Sequence, residues 1–411
     1  MPSVSPTLLG LEPSFGFGDR LGSATPGHLE AYVTYGAGIC PIFAQQSIRE
    51  MDRTGRTPQD VMRDAARAIS AEGFSEQWGA DADHLKTLAD VDSTVVAGYT
   101  FFTIDPSDYV DEDADDYAPE ILDSKFHAIQ PEIGWVDSYL GRTVRLRSLE
   151  IEFDELTVRR AAVKYGRAIN HSRAVADHIR QATECSGGIH EIELSVDETP
   201  QPTSFAEHFI IADQCLESGM NLVSLAPRYI GVFEKGIDYR GDLEALEKSL
   251  NGHMEIVRAL GPYKLSLHSG SDKLSIYPLV ARATGGLFHV KTAGTSYLEA
   301  LRVVARHDVA LFRRIIDFSR CCFEADRATY HISSELELVP PAEDIASTDL
   351  ESVYLDRDCG RQVLHVTFGS VLTDVYLGPA IREILHSEPT THQQVLTSHF
   401  EQHLCALRAG M

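Results

Sequence analysis

The stretch KLSLHSGSDK, residues 264–273, places an imidazole, two hydroxyls, a carboxylate and an ammonium at the end of one apolar segment. Leu265 and Leu267 alternate with Ser266 and His268, which is the period of a β-strand. Imidazole and carboxylate groups together suit a divalent transition metal such as Zn, Mn, Co or Ni. The stretch therefore predicts a strand that brings His268 to a metal, followed by a loop that binds a polar ligand.

Ionisable side chains also end most of the other strand-like segments, and barrel enzymes place their chemistry at the carboxyl ends of parallel strands. The other strand-end candidates are Asp83, His84, Lys86, Asp105, Asp197, Glu198, Arg228, His289 and Lys291. In EIELSVDE, Leu194 and Val196 face the helices, so the alternation turns Glu193 and Asp197 inward. We expect these side chains to share one polar pocket.

Histidine and carboxylate positions supply the predicted metal site. The candidate ligands are Asp197, His268, His331 and His365. For a lone histidine in an apolar setting, a hydrogen-bonded core residue is the more common explanation, and it stays open for His289, His331 and His365. For His268, the Ser-Gly-Ser loop that follows favours the metal.

Two cations at strand ends each have two explanations. Lys291 could form a Schiff base, act as an acid or anchor a substrate oxygen, or it could form a salt bridge with Glu193. Arg228 could hold a substrate carboxylate through two parallel hydrogen bonds, or it could belong to a structural ion pair.

These residues are carried by apolar segments that alternate with amphipathic helices. The eight predicted strands lie within residues 14–19, 41–46, 82–87, 99–105, 190–198, 221–228, 264–271 and 286–292. Parallel neighbours need helical crossovers, and eight such units in about 300 residues are typical of a (β/α)8 barrel. An open doubly wound sheet is the alternative fold.

The pattern departs from a simple barrel at two places. Residues 106–150 form an insertion after the fourth strand, with an acidic run that predicts a solvated loop or a lid. Residues 326–411 form a C-terminal extension that we expect to pack on a barrel domain of residues 10–325. Within it, TYHISSELEL and RQVLHVTFGSVL resemble two more strands.

Composition limits the possible partners. The net charge is −25, from 61 acidic and 36 basic residues, which disfavours nucleic acid and anionic membranes. No run of about 18 apolar residues occurs, and residues 1–14 do not resemble a signal peptide. Seven cysteines without a Cys-x-x-Cys pair favour reduced thiols, so we expect a cytoplasmic protein.

Several long strings resemble the tagaturonate epimerase family over most of the chain. They are GADADHLKT, ELSVDETPQPTS, SLAPRYIGVFEKGIDYRGDL, LSLHSGSDKLSIYP, GLFHVKTAGTSYLEALR and VLHVTFGSVL. The resemblance implies a metal-dependent epimerase that interconverts D-tagaturonate and D-fructuronate, with a small sugar acid as its ligand. A homo-oligomer is possible, but the sequence does not fix the oligomeric state. Some relatives resemble enzymes for the neutral ketoses tagatose and fructose, which is an alternative substrate class.

The two sugar acids differ at the fourth carbon counted from the keto end, whose proton is not acidic. Retro-aldol cleavage and re-addition is the favoured route, because the sequence offers no dinucleotide-binding loop for transient oxidation. The predicted catalytic residues are Glu198, Lys291 and Asp105, with Asp197 as an alternative proton carrier. The predicted substrate-binding residues are Arg228, Lys86, Gln45, Ser269 and Asp272. An aldolase that releases its fragments and a non-catalytic sugar-binding barrel are the two competing functions.

Overall fold

The computed structural model describes residues 5–411, and eight of its ten strands close into one parallel barrel. The strands are β1 Ser14–Gly18, β2 Cys40–Ser47, β3 Gly79–Leu85, β4 Phe101–Ile104, β5 Thr143–Arg145, β6 Glu150–Glu152, β7 Glu191–Val196, β8 Leu222–Pro227, β9 Lys264–Leu267 and β10 Phe288–Thr292. Their order around the barrel is β1-β10-β9-β8-β7-β4-β3-β2. Residues 1–4 of the N-terminal stretch considered above lie outside the described part of the chain.

Helices follow the strands and continue beyond the barrel. They are α1 Thr25–Tyr35, α2 Ile48–Thr54, α3 Pro58–Ala71, α4 Leu88–Ala97, α5 Pro119–Ile129, α6 Val136–Tyr139, α7 Glu155–Ser186, α8 Phe205–Glu217, α9 Leu243–Leu260, α10 Tyr277–Thr284, α11 Thr295–His307, α12 Val309–Asp326, α13 Asp358–Val366, α14 Phe368–Thr373, α15 Leu377–Ser387 and α16 Pro389–Arg408. Side-chain capping interactions fix the N-termini of several helices. Thr57 and Asp60 form a capping box at α3, and Ser204 and Glu207 form another at α8. In the described residues, no helix is both long and apolar enough to cross a membrane.

The pairing of the first and last barrel strands decides between the two predicted folds. Ser14 of β1 is opposite His289 of β10 on one side and opposite Cys40 of β2 on the other. Each of the eight strands has two paired neighbours in this order, whereas an open sheet would contain two edge strands with one neighbour each. The predicted (β/α)8 barrel is therefore confirmed, and each of the eight predicted strands corresponds to one barrel strand.

The insertion after β4 is ordered and packs on the barrel. It contains α5, α6 and the β5–β6 hairpin, and α5 and α6 pack against α7. Lys164 on α7 is fully buried and pairs with Asp115 at 2.6 Å and with Glu207 at 3.0 Å. Part of the acidic run therefore neutralises a buried ammonium, so it is more than a solvated loop.

The prediction of two further strands beyond residue 325 is wrong. The first segment is irregular with a 3-10 turn at Leu336–Leu338, and the second forms α13 and α14. The β-branched and aromatic residues of the second segment favour a strand by propensity. A closed barrel offers no free edge for such a strand to pair with, so these residues instead bury one helical face.

The extension shares a second apolar core with α11 and α12 and also completes the barrel core. Tyr297 of α11, Phe312 of α12 and Phe368 of α14 belong to the second core. Helix α16 turns back to the barrel, where Phe400 contacts Phe17 of β1 with ring centroids 5.0 Å apart. Helices α13 and α14 therefore pack in the second core, while α16 packs against the barrel.

Candidate active site

A cavity of about 430 Å³ opens at the carboxyl end of the barrel strands. Its ionisable lining includes His84, Asp197, Glu198, Arg228, Lys235 and His268. His331 also lines it, which shows that the C-terminal extension reaches the barrel mouth. A smaller chamber of about 30 Å³ shares Lys235 and His268 with this cavity and adds Lys291 and Gln45. Together the two spaces can hold a small polar molecule.

His84 stands at the end of β3 with a strained backbone. Its φ is +53°, which an L-residue with a side chain rarely adopts. Its Nδ1 lies 3.0 Å from Asp105 Oδ2. Burial alone would lower the pKa of His84, but the carboxylates of Asp83 and Asp105 raise it to about 9. The surroundings of this imidazole therefore favour positive charge.

His84, Asp105 and Glu198 form the group at the mouth that could hold a metal ion. Each offers one ligand atom, and these atoms lie within 4.8 Å of one another. One imidazole and two carboxylates suit Zn, Mn, Co or Ni, and three protein ligands leave positions for a substrate. The residues present therefore fit a divalent metal. Asp105 and Glu198 were predicted as catalytic residues, whereas His84 was given no role, although it ends a strand as His268 does.

His268 contacts two carboxylates at the mouth. Its Nε2 lies 2.7 Å from Glu193 Oε1, and its Nδ1 lies 3.3 Å from Asp197 Oδ1. Burial opposes a charge on the ring, but Asp197 and Glu193 raise the pKa of His268 to about 10. Its ring centroid is 5.1 Å from that of His84. Metal ligation by His268 and Asp197 stays a prediction. To bind a metal ion, His268 would have to give up one of its two carboxylate contacts.

Lys291 lies at the centre of a buried charge network. Its Nζ is 2.7 Å from Asp81, 2.7 Å from Asp83 and 3.0 Å from Glu193. Burial disfavours the ammonium, but these three carboxylates raise the pKa of Lys291 well above its ordinary value. The ammonium therefore stays protonated, whereas a Schiff base requires the neutral amine. The predicted salt bridge with Glu193 is present, and a role in moving the substrate proton stays a prediction.

The remaining predicted residues divide into two groups. Ser269 and Gln45 line the chamber, and Ser269 has a φ of +51°. Neither amide atom of Gln45 has a hydrogen-bond partner among the described residues, so both are available to a ligand. Asp272 instead turns to α13, where Arg361 donates to it over 2.8 Å, and Lys86 pairs with Asp108 at the surface. The structure does not bring Asp272 or Lys86 to the mouth cavity.

His365 lies on helix α13, not on a strand as predicted. The side chain is fully buried, and neither ring nitrogen has a hydrogen-bond partner among the described residues. Burial and the nearby Arg20 lower its pKa well below the usual value. His365 packs behind Gly236 and Gly294 and outside the lining of the mouth cavity. Metal ligation by His331 or His365 stays a prediction.

Gly294 is required by this packing, which gives a testable prediction. Its φ is +86°, and an added Cβ would lie 2.6 Å from Arg20 Nη1 and from His365 Cε1. Gly98 is a matched control, because its φ is +87° and nothing lies within 4 Å of an added Cβ. We expect Gly98→Ala to cost about 1 kcal/mol of unfolding free energy and Gly294→Ala about 2 kcal/mol more. Urea denaturation measures both, and equal losses would contradict the packing argument.

A closed (β/α)8 barrel whose mouth gathers histidines, carboxylates and cationic side chains defines a barrel enzyme for a small polar substrate. The family model for tagaturonate epimerase matches residues 1–407. The chain belongs to the tagaturonate epimerase family, which is a family of isomerases, and the resemblance noted in the sequence is confirmed.

Individual relatives agree with this membership. The chain is 43% identical to the tagaturonate/fructuronate epimerase of Thermotoga maritima over 403 residues, which cover 98% of this chain and 82% of the relative. Two solved structures of the fructuronate-tagaturonate epimerase from Cohnella laeviribosi, one native and one with one glycerol bound, superpose with a TM-score of 0.92. Each is 36% identical to this chain and covers 99% of it, while the match spans 84% of each relative.

Proposed function

We propose that this protein interconverts D-tagaturonate and D-fructuronate at the mouth of the barrel. The observation that carries the proposal is the 43% identity over almost the whole chain to a tagaturonate/fructuronate epimerase. The cavity supports it because His84, Asp105 and Glu198 lie beside cationic side chains that suit a sugar acid. The negative charge of the chain as a whole would repel such an acid, so local cations are needed to bind it.

We propose retro-aldol cleavage and re-addition as the route. The bond between the third and fourth carbons breaks, its electron pair passes to the ketone fragment as an enediolate, and the fourth-carbon hydroxyl loses its proton. The aldehyde fragment carries the carboxylate. It turns about the bond next to the aldehyde carbon and presents its other face, and re-formation of the bond inverts the centre. Atoms and electrons balance without an external oxidant.

The side chains have separable tasks in this scheme. A divalent ion, when bound by His84, Asp105 and Glu198, would supply positive charge for the ketone oxygen. Asp197 accepts the hydroxyl proton from the substrate and returns it on re-addition. Lys291 holds Asp83 and Glu193 in place, and Glu193 in turn orients His268. Gln45 offers its free amide to the substrate hydroxyls.

Incubation with D-tagaturonate, before and after chelation, tests the proposal. We expect conversion to D-fructuronate, loss of conversion after chelation, and recovery with Mn, Co, Ni or Zn. Conversion that persists after chelation would support the epimerase activity but contradict a role for the metal. Absence of conversion with every metal would contradict the proposed substrate pair. Capture of three-carbon fragments during turnover would support bond cleavage, and stable release of those fragments as the main product would indicate an aldolase.

A further inference from the structure

Lys235 lies in the segment between β8 and α9, and its ammonium stands out among the lysines near the mouth. Its Nζ donates a hydrogen bond to Ser269 Oγ over 2.6 Å. In the part of the chain that the structure describes, it forms no ion pair with a carboxylate. Lys291 and Lys86, by contrast, each pair with at least one carboxylate at 2.7 Å or less. Lys235 was not among the predicted site residues, which were drawn from strand ends.

The surroundings of Lys235 make its charge costly without an anion. The residue is half-buried, and burial together with the nearby cation Arg49 lowers the pKa of its ammonium, because the more distant carboxylates of Glu198, Asp197 and Glu50 offset this effect only in part. A partly buried cation without a carboxylate in contact loses part of its hydration and recovers little of it through ion pairing. A bound anion would remove this cost. The site therefore favours a negatively charged group over a neutral one of the same size.

The location of Lys235 suits one end of a short substrate. Lys235 lines both the mouth cavity and the inner chamber. Arg228, the other mouth cation without an ion pair among the described residues, lines only the mouth cavity. The inner chamber also contains Asp83, His84 and Lys291. A carboxylate bound at Lys235 would thus contact both spaces, while one bound at Arg228 would lie in the mouth cavity alone, near Asp197.

Helix α13 and the β9 loop fix the backbone on both sides of Lys235. Arg361 Nε donates to the Gly236 carbonyl over 2.8 Å, and Lys273 Nζ donates to the Glu234 carbonyl over 2.8 Å. Gln362 Nε2 donates to the Glu234 carboxylate over 2.7 Å. A cation on a fixed backbone loses less conformational entropy when it binds its ligand. The C-terminal extension therefore positions Lys235 before any ligand arrives.

We propose that Lys235 binds the substrate carboxylate and sets the preference for a sugar acid over a neutral sugar. This inference rests on the proposed function and adds the residue that selects the substrate class. It also assigns a task during turnover. A carboxylate held at Lys235 would retain the aldehyde fragment while its aldehyde carbon turns over.

Binding of a matched ligand pair tests the inference without turnover. D-galactonate and galactitol have the same carbon chain and differ only in the carboxylate. Calorimetric titration at pH 7 is expected to show tighter binding of D-galactonate. Lys235→Met is expected to reduce that preference about 30-fold or more while leaving galactitol affinity within about threefold. Lys248→Met, an exposed lysine on α9, is the control and should change neither affinity.

Arg228→Met distinguishes the two unpaired cations. We expect Arg228→Met to keep most of the preference for D-galactonate over galactitol. Loss of the preference in Arg228→Met and its retention in Lys235→Met would overturn the inference, and so would a wild-type protein that binds both ligands equally. Circular dichroism and the unchanged galactitol affinity show that Lys235→Met is folded.

Kinetics separate this inference from the proposed function. With D-tagaturonate, Lys235→Met is expected to raise KM by about 30-fold or more and to release more of the aldehyde fragment. Wild-type protein that prefers D-galactonate through Lys235 but does not epimerise D-tagaturonate would contradict the proposed function alone. Wild-type epimerisation with an unaltered acid preference in Lys235→Met would contradict the inference alone.

Discussion

Lys291→Met is expected to lower the free energy of unfolding by about 3–5 kcal/mol and to abolish turnover. The substitution keeps much of the volume but removes the ammonium from the centre of the barrel, where the side chain is only 4% exposed. Asp81, Asp83 and Glu193 would then face one another without a counter-ion. Removing one partner from a buried charge network leaves uncompensated charge, which is the most expensive way to disrupt it.

Urea denaturation at several pH values measures this loss and its origin. Lys291 holds the pKa of Asp83 and Glu193 below their usual range against the effect of burial. Carboxylates with a depressed pKa stabilise the fold at neutral pH and lose that contribution on acidification. The difference between wild type and Lys291→Met should therefore be full from pH 7 down to about 4, the ordinary carboxyl pKa, and shrink as the pH falls below that value.

Lys264→Met is the matched control for Lys291→Met. Lys264 of β9 is also fully buried inside the barrel, but its Nζ donates to Ser14 Oγ over 3.0 Å and contacts no carboxylate as an ion pair among the described residues. Lys264→Met should lower the free energy of unfolding by less than Lys291→Met does. This smaller loss should not shrink on acidification as the loss in Lys291→Met does. Equal losses with equal pH profiles would show that burial of a lysine, not the three carboxylates, determines the effect.

His84→Ala is expected to lower kcat/KM for D-tagaturonate by about 10³-fold or more, with a parallel loss of bound metal. The imidazole supplies the only nitrogen in the group that it forms with Asp105 and Glu198. Elemental analysis of the purified protein measures the metal content, and the initial rate of conversion measures activity. The folded state should persist, because His84 lines the mouth cavity and its removal opens no void in the apolar core.

Two variants complete the test of the metal group. His178→Ala is the control, since His178 on α7 pairs with Asp92 away from the mouth, and it should keep both metal and activity. His268→Ala should lose activity but retain more metal than His84→Ala. If His268→Ala loses the metal and His84→Ala keeps it, the ion belongs to His268 and Asp197, as the sequence analysis predicted.

The barrel was predictable because each strand carries its own signal. Apolar alternation marks β7 and β9, and the same alternation turned Glu193 and His268 inward, where the structure brings them within 2.7 Å of each other. The C-terminal segments misled the analysis because their β-branched residues are a local signal. Such residues can form a strand only where a sheet edge is free to pair with them, and the closed barrel leaves no such edge.

Most of the predicted residues that line the mouth cavity come from strand ends. Residues that end a strand, such as Asp197, Glu198 and His268, do line the mouth cavity. Lys235 and Asp272 lie in loops, where the direction of a side chain is set by distant partners. Arg361 draws Asp272 away from the mouth and also fixes the backbone beside Lys235, from 89 and 125 residues away. No periodic pattern in the sequence encodes these contacts.

The contacts from α13 also affect when a newly synthesised chain can first select its substrate. Gln362 bonds to the backbone of Lys235 from 127 residues later in the chain. At roughly 5–20 residues per second, a ribosome needs on the order of ten seconds to make that interval. The last barrel strand, β10, ends at Thr292, so all eight strands are complete before α13 is made, while the segment that carries Lys235 still lacks its supports from α13. A nascent chain would therefore acquire its barrel before it acquires the ability to discriminate an acid from a neutral sugar.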